Sequence, residues 1–238
     1  MNTVYYILII IILFVYIINQ FIEIEDYFEF KRSHPYNFPL VSIEDNFLSP
    51  NECENLKKYI LNHELLKHNW DNSYVIRFNT NENSKKMFLH HNLGTIYKIF
   101  ENIKQPGTNA YIVNTAILDN SNDEAGKHND IEFHYDDTIE IKDFMGRNII
   151  PVCTTVLYIS IPENYTGGNL ILKPFASKNN EKVYKPKQGR KLTFRGDMNH
   201  CVEPFFCDYT TKRISLVFEQ YKIPDKYIHK TEFDFFKR

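Results

Sequence analysis

Apolar positions follow three successive patterns along this chain. From Val4 to Ile18 every residue is apolar or tyrosine, and with Asn19, Gln20, Phe21 and Ile22 the run approaches the ~20 residues a helix needs to cross a bilayer. A basic start and a small-residue cleavage site are both missing around it, which argues against a cleaved signal peptide. Residues 1–22 are therefore expected to be an uncleaved transmembrane anchor, and 23–39, charged and aromatic with Pro35 and Pro39, a stalk. A folded domain is expected over 40–238. It opens with a short strand, Leu40 to Phe47, then Ser49-Pro50-Asn51-Glu52, a capping box with proline at the first helical position. Cys53, Leu56, Ile60 and Leu65 next fall near helical spacing, and a second helix is expected from Leu93 to Ile103 with Ile96, Ile99 and Ile103 inward.

From Ala110 the pattern changes to short strands separated by turns: Ala110–Leu118, Ile131–Tyr135, Val152–Ile161, Asn169–Lys173, Lys191–Arg195, Cys201–Glu203 and Arg213–Tyr221. Seven or eight such strands suit a double-sheet jelly roll. The fold class predicted is mainly β with flanking α-helices, preceded by one transmembrane helix. The polar stretch from Asn120 to Lys127 reads as a loop over the later site.

Composition narrows the function classes. A chain of 238 residues holds one catalytic domain plus an appendage. A net charge of -2 gives no global basic surface, so nucleic acid is disfavoured as a partner. The flanks of the apolar run carry only Lys31 and Arg32 beyond Glu23, Glu25, Asp26 and Glu29, a slight lean towards a cytoplasmic body. Cys53 and Cys153 fall on core faces, where a free thiol is usual; Cys201 and Cys207 could pair only in an oxidising compartment. Asn164-Tyr165-Thr166 is a glycosylation acceptor sequence.

The chemistry lies in scattered residues. His134 and Asp136 sit two apart on an expected strand, so both would project from one face and could share a metal ion. His128-Asn-Asp130 is a second such pair. The later one is preferred because it closes the β-rich run Ile131-Glu-Phe-His134. His200 would arrive from a distant strand as the third ligand; two histidines and a carboxylate with open positions are what a non-haem Fe(II) oxygenase needs. Arg213, Ser215 and Val217 share one strand face. An arginine turned into a jelly roll needs a carboxylate, which a bound anion would supply; the plainer reading is an exposed strand-end arginine. Gly167-Gly168 separates two β-rich runs, and Tyr158, facing with Thr154 and Val156, is either a core tyrosine or a hydroxyl for the same anion.

From about Val41 to Tyr221 the chain resembles the prolyl 4-hydroxylase type of 2-oxoglutarate- and Fe(II)-dependent dioxygenases. The likeness rests on Val41-Ser-Ile-Glu-Asp-Asn-Phe-Leu-Ser-Pro-Asn-Glu-Cys53, Thr166-Gly-Gly-Asn-Leu170, His200-Cys-Val-Glu-Pro204 and Arg213-Ile-Ser-Leu-Val217. The resemblance implies a double-stranded β-helix. It also implies iron on His134, Asp136 and His200, with Arg213, Tyr158 and Ser215 at the 2-oxoglutarate carboxylate. O2 would be the oxidant, ascorbate the reductant and a peptide or protein the substrate, proline first. Membrane-anchored members of the family face the lumen of the secretory pathway, implying an endoplasmic reticulum protein with a lumenal body.

The gap from His200 to Arg213 is longer than usual, and arginine replaces the lysine common in collagen-type members. Asn114 to Asp137 also resembles the oxidative nucleic-acid demethylases, but those carry a second arginine where this chain has Glu219 and lack the Gly-Gly turn. The competing readings are the same chemistry on a lysyl, nucleic-acid or small-molecule substrate, and a metal-free binding or structural module at a membrane.

Overall fold

The structure is a computed structural model that describes residues 7, 9–17, 38–119, 130–142, 148–174, 181–208 and 211–237. Of the expected anchor, Ile7 and residues 9–17 are described; they are helical with exposed side chains. The rest of 1–22, the stalk as far as residue 37, and the expected loop at 120–127 with His128 lie outside the described residues. Among the described residues no helix is long and apolar enough to cross a membrane.

Along the folded region run β1 (Val41–Glu44), α1 (Pro50–Asn62), β2 (Tyr74–Asn79), α2 (Glu82–His90), α3 (Gly94–Ile103), β3 (Ala110–Leu118), β4 (Ile131–His134), β5 (Cys153–Ser160), β6 (Tyr165–Gly167) and β7 (Leu170–Pro174). They continue with β8 (Lys182–Tyr184), β9 (Lys191–Arg195), β10 (Met198–Val202), β11 (Phe205–Cys207), β12 (Arg213–Tyr221) and β13 (Asp234–Lys237). All pairings between these strands are antiparallel. A seven-stranded sheet runs β1-β9-β5-β12-β3-β2-β13, a four-stranded sheet β4-β10-β7-β8, and β11 pairs with β6.

The larger sheet is covered on both sides, which is why β3 and β5 are buried at every position despite an antiparallel ladder. One face packs on the helices. Cys53, Leu56 and Ile60 form the buried stripe of α1, and Ile96, Phe100 and Ile103 that of α3. Ile99, expected inward, is only partly buried, because the three-four spacing from Ile96 passes to Phe100. Edge-on ring pairs knit this layer together: Phe78 with Phe88 at 4.7 Å and with Phe100 at 4.8 Å, and Phe100 with Tyr111 at 4.5 Å. Each such pair adds about 0.5–1.5 kcal/mol beyond area burial.

The opposite face packs on the smaller sheet. Leu118, Val156, Leu192 and Phe194 of the larger sheet cluster there with Leu170, Leu172, Met198 and Val202 of the smaller. This two-sheet sandwich with helices on its outer face agrees with the expected jelly-roll class. The capping box of α1 is present as read: Glu52 N donates to Ser49 Oγ and Ser49 N to Glu52. The four cysteines form no disulfide, so Cys201 and Cys207 are not bonded to each other.

Candidate metal centre

Two strands of the smaller sheet bring the distant histidines together. His134 closes β4 directly opposite His200 of β10, and the ring centroids are 4.2 Å apart. Each Nδ1 points at the carbonyl of the residue two before it, Glu132 at 2.8 Å and Met198 at 3.1 Å. A carbonyl only accepts, so both Nδ1 atoms carry the proton and the Nε2 atoms are the lone-pair nitrogens. Those lone pairs face one carboxylate oxygen: Asp136 Oδ1 stands 3.6 Å from each Nε2. The three ligand atoms lie within 4.8 Å of one another, the one such group of His, Cys, Asp and Glu among the described residues.

Asp136 is not on the strand where the spacing puts it. β4 ends at His134, and the chain then leaves the smaller sheet without regular structure. The cause is a bond to the other sheet, since Thr154 Oγ1 of β5 donates to Asp136 Oδ2 at 2.5 Å. Burial by itself would raise the Asp136 carboxyl. The imidazoles of His200 and His134 and the Thr154 hydroxyl outweigh it, holding the group well down at about 2. Burial pushes His200 below its ordinary value against the pull of Asp136, which favours the neutral ring that binds metals.

The other end of the same cavity is built around Arg213. Its guanidinium is buried, donates through Nη1 to the Gly168 carbonyl at 2.8 Å, and lies over the rings of Tyr158 at 5.6 Å and Phe205 at 5.9 Å. No carboxylate pairs with it among the described residues. Arg213 Nε, the Tyr158 hydroxyl, Ser215 Oγ and Asn114 Oδ1 are all buried without a hydrogen-bond partner. Leaving a buried donor or acceptor unsatisfied costs about 1–3 kcal/mol, and more for a charged group. Burial lowers the Arg213 pKa and raises that of Tyr158, while each group's charge opposes the shift of the other.

The glycine pair explains itself here. Gly167 and Gly168 have φ of +70° and +68°; a Cβ on Gly167 would stand 1.8 Å from the Pro204 carbonyl oxygen, and one on Gly168 2.6 Å from the Phe205 ring and 3.0 Å from Arg213 Nη1. Only glycine lets this turn lie on β11 and present its carbonyl to the arginine.

Period two arranges the lining. Arg213, Ser215, Val217 and Glu219 of β12 alternate into the cavity, as do Thr154, Val156 and Tyr158 of β5 and Asn114, Ala116 and Leu118 of β3. The cavity has a volume of about 50 Å³, and Trp70 forms part of its wall. All six residues expected at the site thus share it: His134, Asp136 and His200 at one end, Arg213, Tyr158 and Ser215 towards the other. Arg213 is the buried form, not an exposed strand end. Thr154, Asn114, Glu219 and Trp70 were not among the expected residues. Thr154 and Glu219 could have been found by carrying the period-two count along the strands of Tyr158 and Arg213.

No protein-family model matches this chain, and no curated protein does. Solved structures do. A Pseudomonas putida prolyl-4-hydroxylase is similar at 16% identity, over 80% of this chain and 93% of that one, with a TM-score of 0.49. The viral collagen prolyl hydroxylase vCPH of Paramecium bursaria Chlorella virus-1, in its 2-oxoglutarate complex, is similar at 15% identity over 79% and 98%, TM-score 0.46. A Trichoplax adhaerens prolyl hydroxylase in complex with a hypoxia inducible factor peptide fragment is similar at 15% identity over 83% and 89%, TM-score 0.44.

Proposed function

We propose that this chain is a Fe(II)- and 2-oxoglutarate-dependent dioxygenase of the prolyl hydroxylase-like kind, acting on a peptidyl residue, with proline the leading target. One observation carries the reading. Two Nε2 lone pairs and a carboxylate oxygen converge at one end of a cavity, and a buried arginine with unsatisfied donor capacity stands at the other. The first set is the facial donor set of non-haem iron, and the second wants an anion. A small dicarboxylate that reaches from Arg213 to the metal answers both.

In this reading His134, Asp136 and His200 hold the iron, while Arg213, Tyr158 and Ser215 take the distal carboxylate of 2-oxoglutarate. The bound iron and cosubstrate supply the oxidative chemistry, coupling decarboxylation to succinate with hydroxylation of a C–H bond by O2. Ascorbate serves to keep the metal ferrous. The chain's own groups orient. Backbone carbonyls fix the tautomer of both histidines, Thr154 turns Asp136, and the Gly168 carbonyl steers the guanidinium fork. Of the three ligands His134 is the solvent-facing one, its side chain 30% exposed against 8% for His200 and 9% for Asp136. Substrate therefore approaches from the His134 side.

The reading extends to the whole chain. The apolar run over 1–22 is a membrane anchor, 23–39 its stalk, and the body stands in the lumen of the endoplasmic reticulum. Asn164 is exposed, as a glycan acceptor there must be. The test is succinate release from 2-oxoglutarate by the purified chain with Fe(II) and ascorbate, with and without proline-rich peptides, and with His134→Ala as control. Peptide-stimulated release that the substitution abolishes is the expected result. Metal binding without turnover on any peptide would overturn the substrate assignment; failure to bind Fe(II) or Mn(II) would overturn the oxygenase.

A further inference from the structure

Asp136 stands outside both sheets, since β4 ends two residues before it. A ligand on such a segment needs fixing by side chains. Thr154 supplies one tie, to Asp136 itself. The second lands two residues on, where Thr138 Oγ1 donates to Glu219 Oε1 at 2.8 Å. Thr154 and Glu219 are cross-strand partners on β5 and β12. Both ties therefore come from a single rung of the larger sheet, and they seize alternate residues of one segment, Asp136 and Thr138.

Glu219 is a costly choice for a merely structural bond. It is 3% exposed and faces the cavity, where a carboxylate loses most of its hydration. What it offers is two acceptor oxygens. The second accepts from the hydroxyl of Tyr221, which is wholly buried, and Tyr221 packs in turn in the cluster that takes Ile139 and Ile141, the apolar residues just beyond Thr138. The segment from Asp136 to Ile141 is thus held by hydrogen bonds at its start and by packing at its end, with Glu219 joining the two.

We propose that Glu219 is a positioning residue for the metal centre, acting through Thr138 to hold the Asp136 carboxylate where the two Nε2 lone pairs meet it. The inference rests on the oxygenase reading, because a clamp on Asp136 matters only if a metal binds there. A group beyond the ligands that fixes their orientation changes metal affinity about 10- to 100-fold when removed.

The experiment is calorimetric titration of the full chain with Mn(II), an oxygen-insensitive stand-in for Fe(II), for wild type, Glu219→Ala, Thr138→Val, Thr138→Ser and the double variant Glu219→Ala/Thr138→Val. Thermal midpoints monitor folding, and Thr138→Ser restores the hydroxyl should Thr138→Val be too disruptive. The expected result is about tenfold or weaker binding for Glu219→Ala and Thr138→Val, near wild-type binding for Thr138→Ser, and a double variant no worse than the poorer single one. Affinities within twofold of wild type for both single variants would overturn the proposal, as would losses that simply add. Wild type that binds no Mn(II) would instead sink the oxygenase reading beneath it.

Discussion

The two faces of strand β12 are made by the same backbone and serve opposite ends. Ile214, Leu216 and Phe218 point towards the helices and sit in the aromatic layer; Arg213, Ser215 and Glu219 point towards the smaller sheet and line the cavity. Burial is nearly equal: apart from Val217, every residue of the strand is buried. What differs is satisfaction. On the helix side the buried groups find apolar partners, whereas on the cavity side Arg213 Nε and Ser215 Oγ find none. Stability thus comes from one face and binding capacity from the other, at a cost to the fold.

Breaking the helix face should give the largest effect. Phe218→Ala is expected to destabilise by about 3–5 kcal/mol through a cavity in the aromatic layer. Denaturant titration checks this, and Mn(II) affinity measured under folding conditions should stay near wild type. Next, Arg213→Leu should weaken 2-oxoglutarate by about 2–5 kcal/mol while leaving stability unchanged or slightly raised, since it removes a buried charge. A large loss of stability instead would mean that the arginine is part of the core and the contrast between faces is false.

Gly168→Ala falls between the two. The positive φ and the contact with Phe205 should cost about 1–3 kcal/mol of stability, and the push on Arg213 should weaken the cosubstrate as well, which equilibrium binding of 2-oxoglutarate to the Mn(II)-loaded chain would report. The smallest effect is that of acid. Burial holds His200 below its ordinary value, so in the window just below about pH 6.5 the unfolded chain takes up a proton that the folded chain resists. Stability contributed by the neutral ring is present above that window and is lost as pH falls, by about 1.4 kcal/mol per pH unit at most. Urea midpoints at pH 7.5 and 5.5 should differ in that sense, and by less in His200→Asn.

Legibility in the sequence followed the same divide. β3, β9 and β12 stand where their runs rich in apolar and β-branched residues put them. α2 was not visible: Glu-Asn-Ser-Lys-Lys-Met-Phe-Leu-His buries only Ser84 and Phe88, and its start depends on the Asn81 side chain accepting from Ser84 N. β2 and β13 close the sheet through a pairing of residues 74–79 with 234–237, which no local pattern announces. At the site, His134, His200 and Arg213 could be read because their order along the chain is informative. Thr154 could be reached only by counting in twos from Tyr158, and Asn114 not at all, since an asparagine on a separate strand carries no mark of the cavity it faces. Asp136 was read correctly as a neighbour of the histidines but for a different reason, a hydroxyl on the opposite sheet rather than strand geometry.

Trp70 is the chain's only tryptophan, and it lies in the wall of the cavity. Light absorbed by the indole and not by the sixteen tyrosines therefore interrogates a single location. The molecule carries its own optical gauge of this cavity, so that a ligand seated against the indole can be followed by emission alone, without a label and without waiting for turnover.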